Sequence, residues 1–197
     1  MQKLTSIKGI LFYFLIILMI IATAGCVRYP NGPGPGPGDP EYQLKITVQV
    51  YGEINTDGNE GIYYIVLDNN GNPADGPDSD IVSWEDEYYY IQLDEWGIDF
   101  SLVEEGSASF SLTDFSVNDD EWEVIIDLND LSVMGSSIDF NVVTTDSDNN
   151  AYDGLDNYLT IGTGLGSSIQ DIDGLDDSEE GGEDFDIIGV LAEIIAF

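Results

Sequence analysis

The chain has 197 residues, of which 39 are acidic, four are basic and none is histidine. This acid excess repels phosphate groups, which excludes a nucleic-acid partner. The lack of histidine excludes Ser-His-Asp and Cys-His catalysis, and a single cysteine excludes an internal disulfide and a cysteine-based zinc site. Two interpretations of the acidity stay open: solubility in a saline medium, and the binding of cations.

The N-terminal segment has the three parts of an export signal. Lys3 and Lys8 come first, an apolar run follows at residues 9–21, and four small residues (ATAG) occupy positions 22–25. Cys26, the only cysteine, follows directly. The pattern predicts that the rest of the chain faces away from the cytoplasm.

Residues 24–26 (Ala-Gly-Cys) resemble the lipobox of bacterial lipoproteins, with Thr23 at the position where that family has leucine. The resemblance implies a signal peptide over residues 1–25, cleavage before Cys26, and a diacylglycerol and a further acyl chain such as palmitate on that cysteine. Two or three acyl chains anchor a protein to the cell membrane, because each buried methylene contributes roughly 0.8 kcal/mol. The alternative is an uncleaved anchor, since residues 9–27 approach the length that spans a bilayer.

Residues 26–41 are rich in Pro and Gly, and we interpret them as a tether. Beyond it, short apolar runs alternate with polar residues and are separated by Gly, Asn and Asp, which predicts a single all-β domain, an antiparallel β-sandwich, over residues 42–165. The predicted strands are 44–50, 62–67, 87–93, 98–102, 108–112, 122–128, 138–145 and 158–161.

The run Tyr-Tyr-Ile-Val-Leu-Asp at residues 63–68 leads into the loop NNGNPADG at residues 69–76. An aromatic strand that ends in an Asp-rich loop with Pro and Gly resembles the DOMON-like and family-9-type carbohydrate-binding sandwiches, which usually have a second aspartate where this chain has Asn70. The resemblance implies a sandwich fold and an extracytoplasmic binding module. It implies no particular ligand.

Two loops collect the oxygen donors that calcium prefers, at alternating positions on a tight turn. No cofactor is required by the sequence, and calcium is the one candidate. The alternative is that Asp and Asn are simply residues that turns use. The predicted metal ligands are Asp68, Asn70, Asn72 and Asp75 in the first loop, and Asp146, Asp148, Asn150 and Asp153 in the second.

Aromatic residues predict a second kind of site, a platform on which sugar rings stack. On a strand Tyr89 faces away from its two tyrosine neighbours, so only part of the aromatic set shares one surface. The alternative is that these rings belong to the core. The predicted ligand-binding residues are Trp84, Tyr88, Tyr90, Trp96 and Trp122.

The C-terminal region divides into an acidic flexible tail at residues 166–186 and an apolar segment at residues 187–197. In a helix, five apolar residues of the segment would share one face: Ile187, Val190, Leu191, Ile194 and Ile195. We expect either a closing element that packs on the domain or a short contact segment for a membrane or partner.

These features together predict a lipid-anchored, non-catalytic binding protein on the extracytoplasmic side of the cell membrane. Its expected partners are the membrane through Cys26, and carbohydrate, calcium or envelope proteins through the sandwich. The alternatives are a structural envelope protein without a small ligand, and a hydrolase that uses carboxylates.

Overall fold

Two antiparallel sheets are built from the residues that the computed structural model describes, which are 41–56, 61–103, 110–133, 135–172 and 181–197. The predicted signal peptide, Cys26 and nearly all of the tether lie outside these residues. The strands in chain order are β1 (Tyr42–Val50), β2 (Ile62–Asp68), β3 (Tyr89–Asp94), β4 (Gly97–Leu102), β5 (Asp114–Asn118), β6 (Glu121–Asp127), β7 (Ser137–Thr145), β8 (Ala151–Gly154), β9 (Leu159–Gly162), β10 (Ser168–Asp171) and β11 (Ile187–Ala196). Two 3-10 turns, Ile81–Ser83 and Glu183–Phe185, are the only helical elements in this part of the chain.

Every strand pairs with its neighbours in antiparallel fashion. The first sheet has the order β10-β11-β1-β6-β5. The second sheet has the order β4-β3-β2-β7, and β8 and β9 both pair with the other edge of β7. The predicted all-β antiparallel sandwich is therefore confirmed.

The main core lies between the two sheets, where alternate residues of each strand face inward. The period-two pattern of β1 correctly predicts its buried face, and alternate residues of β2 and β6 face the same core. The fully buried residues that these three strands direct into this core are Leu44, Ile46, Val48 and Val50, then Tyr63, Ile65 and Leu67, then Trp122, Val124 and Ile126.

The strand predictions fail where strands are short or exposed. The segment predicted at 108–112 lies partly outside the described residues, and its remainder at 110–112 is not a strand. Phe110 instead packs its ring 5.2 Å from that of Tyr89. β5, β8 and β10 were not predicted, because four or five residues with exposed or half-buried side chains carry too little alternation to be recognised.

The C-terminal segment is a strand, so the expected helical face is wrong. β11 lies between β1 and β10 and buries Ile187, Val190, Ala192 and Ile194. The sandwich also continues past residue 165, because β10 and the turn Glu183–Phe185 belong to it. Of the predicted flexible tail, residues 173–180 lie outside the described part.

Phe185 closes one end of the core immediately before β11. Its ring stacks 5.1 Å from that of Tyr63 and lies 5.3 Å from that of Tyr152. The Tyr63 hydroxyl donates to the carbonyl of Asp184 and accepts from the amide of Asn55, both at 2.9 Å. Thr144 Oγ1 donates to the carbonyl of Phe185 at 2.7 Å. The acidic segment therefore ends in a turn that the buried Phe185 ring and these hydrogen bonds hold against the core.

We expect Phe185→Ala to lower the free energy of unfolding by about 3–5 kcal/mol, because it removes a buried ring and leaves a cavity. Urea unfolding followed by tryptophan fluorescence measures the change. Phe197→Ala is the matched control, since Phe197 is 88% exposed whereas Phe185 is 3% exposed. Equal effects of the two substitutions would contradict the packing described for Phe185.

Candidate functional site

The loop at residues 69–88 covers the outer face of the second sheet. Strands β2 and β7 are consequently buried on both faces, whereas an uncovered sheet would show alternation. A second apolar cluster forms under the loop, where Tyr64, Val66 and Val143 pack with Trp84 and Tyr88. The Tyr64 ring meets the Trp84 ring edge to face at 5.5 Å. This part of the protein therefore has three layers.

Side-chain donors hold residues 73–78 of this loop through its backbone carbonyls. Gly76 allows the close approach, since a Cβ there would lie 2.4 Å from the ring of Tyr158. Such bonds fix a loop that has no regular ladder of its own. The four bonds run from Tyr158 Oη to Pro73 O at 3.1 Å, from Tyr88 Oη to Asp75 O at 2.8 Å, from Asn141 Nδ2 to Pro77 O at 3.1 Å, and from Trp84 Nε1 to Asp78 O at 2.8 Å.

The aromatic residues predicted as a ligand platform occupy three different environments. Trp122 is fully buried between the sheets, so its predicted ligand contact is wrong. Trp84 and Tyr88 are buried and hold the loop. Tyr90 is half-buried near the start of β3, and Trp96 is 85% exposed in the turn after that strand. The structure therefore does not place the five rings on one surface.

Two buried aspartates lie directly opposite each other under the loop. Asp68 ends β2 and pairs in register with Asp139 of β7. Side chains of directly paired residues project from the same face, with Cβ atoms about 4.5–5.5 Å apart. Asp68 is 1% exposed and Asp139 is 0% exposed. The two strands therefore place two carboxyl groups side by side, out of contact with bulk solvent.

Each of these carboxyl groups has one bonded oxygen and one unbonded oxygen. Asp68 Oδ1 accepts from the amide of Asn70 at 2.8 Å, and one oxygen of Asp139, Oδ1, accepts from Thr160 Oγ1. The other oxygens, Asp68 Oδ2 and Asp139 Oδ2, are buried and have no hydrogen-bond partner within the described part of the chain. An unpaired buried carboxylate oxygen is costly, so the pair needs a compensating group.

Burial raises the pKa of Asp68 to about 6, against the opposing bond from Asn70, and the charges of Asp75, Asp139 and Glu85 add to the rise. Burial also raises the pKa of Asp139, while its bond from Thr160 acts in the other direction. Both carboxyl groups therefore resist carrying a bare negative charge.

Within the first predicted metal loop, Asp68 and Asn70 form successive turns. Asn70 Oδ1 accepts from the amide of Asn72 at 2.6 Å, and Asn72 Nδ2 donates to Asp75 Oδ2 at 2.8 Å. Only Asp68 of the four lies in the buried pair, while Asn72 and Asp75 are exposed at its rim. Asp139, the other member of the pair, was not predicted, because within β7 it occupies the position of a solvent-facing residue.

The oxygens of the second predicted metal loop are used by the turn between β7 and β8. Asp146 Oδ1 accepts from the amides of Asp148 and Asn150 at 2.8 Å, and its Oδ2 accepts from Asn150 Nδ2 at 2.6 Å. These bonds, chiefly that from the Asn150 side chain, lower the pKa of Asp146. Asp153 Oδ2 instead accepts from the amide of Ile187 at 2.7 Å. The four residues therefore do not converge on one point.

Comparison with known proteins adds no relative. No protein-family model matches the chain, and no curated protein or solved structure is significantly similar to it. Among the described residues, no group of three or more acidic side chains is arranged to hold a metal ion by itself. The same part of the chain contains no helix long and apolar enough to cross a membrane.

We expect Asp68→Asn to stabilise the protein at pH 7 in the presence of a chelator. Between pH 3.8 and about 6 the folded Asp68 binds a proton that the unfolded chain releases, so stability falls as pH rises through this window. Asparagine keeps the acceptor for Asn70 and removes this loss. Thermal unfolding should show a gain of about 1–2 kcal/mol at pH 7 and a flatter pH profile.

Asp148→Asn is the control for this experiment, because it makes the same charge change at an exposed position. Its effect on stability should be small, because it removes an exposed surface charge. Destabilisation by Asp68→Asn at pH 7 in the chelator would contradict the unfavourable burial described for this carboxylate.

Proposed function

We propose that the chain is a lipoprotein anchored in the cell membrane through Cys26, and that its acidic sandwich is an extracytoplasmic, non-catalytic binding module. The order of export signal, cysteine and Pro/Gly tether supports the anchor. The observation that carries the binding role is the buried carboxyl pair of Asp68 and Asp139 under a fixed loop. Burial of two carboxyl groups without partners lowers the stability of the fold, and a bound cation would offset that cost.

Calcium is the ligand that this arrangement favours, because it binds carboxylate and other oxygens. The charge of the chain supports the same choice. Lys45 is the only basic residue in the described segments, and its Nζ lies 2.5 Å from Glu123 Oε2. The acidic groups therefore depend on cations from the medium for compensation.

The burial of the pair argues against a carboxylate-based hydrolase. A glycosidase needs its two carboxyl groups on either side of the scissile bond, in contact with the sugar. Asp68 and Asp139 are closed off from solvent by the loop and cannot meet a polymeric substrate in this arrangement. The geometry therefore favours binding over turnover.

A carbohydrate or envelope component is the second candidate ligand, and one observation favours it. Trp96 presents its indole to solvent in the β3–β4 turn, and exposed tryptophans commonly serve as contact residues. Binding of a glycan panel to the wild type and to Trp96→Ala tests this candidate. Equal signals from the two proteins would remove it.

The anchor is tested by expressing the full chain in a bacterial host and analysing the membrane fraction by mass spectrometry. We expect an acylated N-terminal peptide that begins at Cys26. Cys26→Ser should abolish acylation, since the thiol is the attachment point, and the uncleaved precursor should accumulate. Thr23→Leu is the matched control, because it restores the usual lipobox residue and should leave processing equal or faster.

Recovery of an unmodified, full-length chain from the membrane would replace the lipid anchor with an uncleaved one. Recovery from the cytosol would overturn the extracytoplasmic location as well. Neither result depends on whether the sandwich binds calcium.

A further inference from the structure

The unbonded oxygens of the buried carboxyl pair point to a specific ligand. Asp68 Oδ2 and Asp139 Oδ2 belong to residues that are almost completely buried, and both come from side chains on the loop-covered face. Native proteins rarely leave such atoms without a partner. Two of them belong to directly paired residues of β2 and β7, whose side chains project from the same face of the sheet.

We infer that Asp68 Oδ2 and Asp139 Oδ2 are the central ligands of a divalent-cation site, suited to Ca²⁺, beneath residues 69–80, the first part of the loop at residues 69–88. The inference deepens the proposed binding function and rests on it, since it names the residues that receive the cation. The remaining ligands would be neutral oxygens, because no third acidic side chain in the described part completes the set.

A cation compensates this pair better than a proton does. One shared proton cancels one of the two negative charges, whereas a divalent ion cancels both and contacts both unbonded oxygens. The direct pairing and burial of the two residues therefore favour a divalent ion over a proton.

The donor chemistry distinguishes among divalent ions. Zinc prefers thiolate and imidazole, and the chain has no histidine and no cysteine in its described part. Magnesium demands near-ideal octahedral geometry and retains several waters, which a site covered by a loop accommodates poorly. Calcium accepts six to eight oxygens in irregular geometry, including carbonyls and amides. Calcium is therefore the best match.

The loop links occupancy of the site to local order. Four of its carbonyls accept bonds from side chains, and Asp68 starts the turns that lead into it. A cation on the Asp68 carboxylate would hold the beginning of the loop as well. Residues 69–80 should therefore exchange their amide hydrogens more slowly when the cation is bound.

The first test uses the full chain in detergent micelles, freed of metal with EDTA and transferred to about 0.15 M NaCl, which screens the surface acids. Calcium is added in an isothermal titration, with magnesium as the comparison ion. We expect one calcium site with a stronger affinity than magnesium shows. Asp139→Asn and Asp68→Asn should each weaken calcium binding by about tenfold or more.

Asp148→Asn is the matched control and should bind calcium as the wild type does, since Asp148 is an exposed acid of the second loop. Wild-type affinity in Asp139→Asn would overturn the inference. Circular dichroism in EDTA checks that each variant is folded before its titration is interpreted.

A second measurement uses only the wild type and so does not depend on the folding of any variant. Hydrogen exchange read by mass spectrometry compares the metal-free and calcium-bound chain. The inference requires slower exchange in residues 69–80, with no change in the turn at residues 146–150. Protection confined to the 146–150 turn, or no protection beyond that produced by NaCl at equal ionic strength, would overturn it.

These outcomes are independent of the anchoring experiment. Calcium binding at the pair in a chain that is never acylated would leave the cation site standing and remove the lipid anchor. An acylated chain that does not bind calcium would leave the lipid anchor standing and remove the cation site.

Discussion

Desolvation of two neighbouring carboxyl groups is the constraint around which one side of this sandwich is arranged. Directly opposed like charges destabilise a sheet, and burial adds to the cost. Strands β2 and β7 nevertheless place Asp68 and Asp139 opposite each other, and both side chains are buried in the folded protein. The hydrogen bonds that hold the loop through its carbonyls therefore act against a local electrostatic penalty, which is typical of functional sites rather than of well-packed cores.

The two faces of the second sheet show how one strand can serve two purposes. The inward residues of β2, such as Ile65 and Leu67, build the core shared with the first sheet. Its outward residues, Tyr64 and Val66, build a smaller apolar cluster that supports Trp84 and Tyr88. The loop is therefore held in two ways: it packs on its own apolar base, and Asp68 accepts from the amide of Asn70 at its start.

Sequence patterns were sufficient for the fold and insufficient for the site, and individual residues show why. The alternation in β1 predicted its buried face because one side of that strand meets solvent. The sequence does not predict that Asp139 is buried, because alternation marks it as outward-facing. Its burial depends on what packs on the outer face of the sheet in three dimensions. The helical face predicted for residues 187–197 is wrong because β11 is apolar on both faces, and such a short apolar run fits a helix as well as a strand. Asp68 was identified, but the turn chemistry that it shares with Asp146 could not reveal that only Asp68 is buried.

The placement of β11 also has a consequence for how the polypeptide acquires its structure. β1 is hydrogen-bonded to β6 on one side and to β11 on the other. Both partner strands lie far from β1 in the sequence. Such long-range pairing makes folding slow, because the loop-closure entropy is lost before the contacts form. The first sheet can therefore be completed only after residues 187–196 have been synthesised.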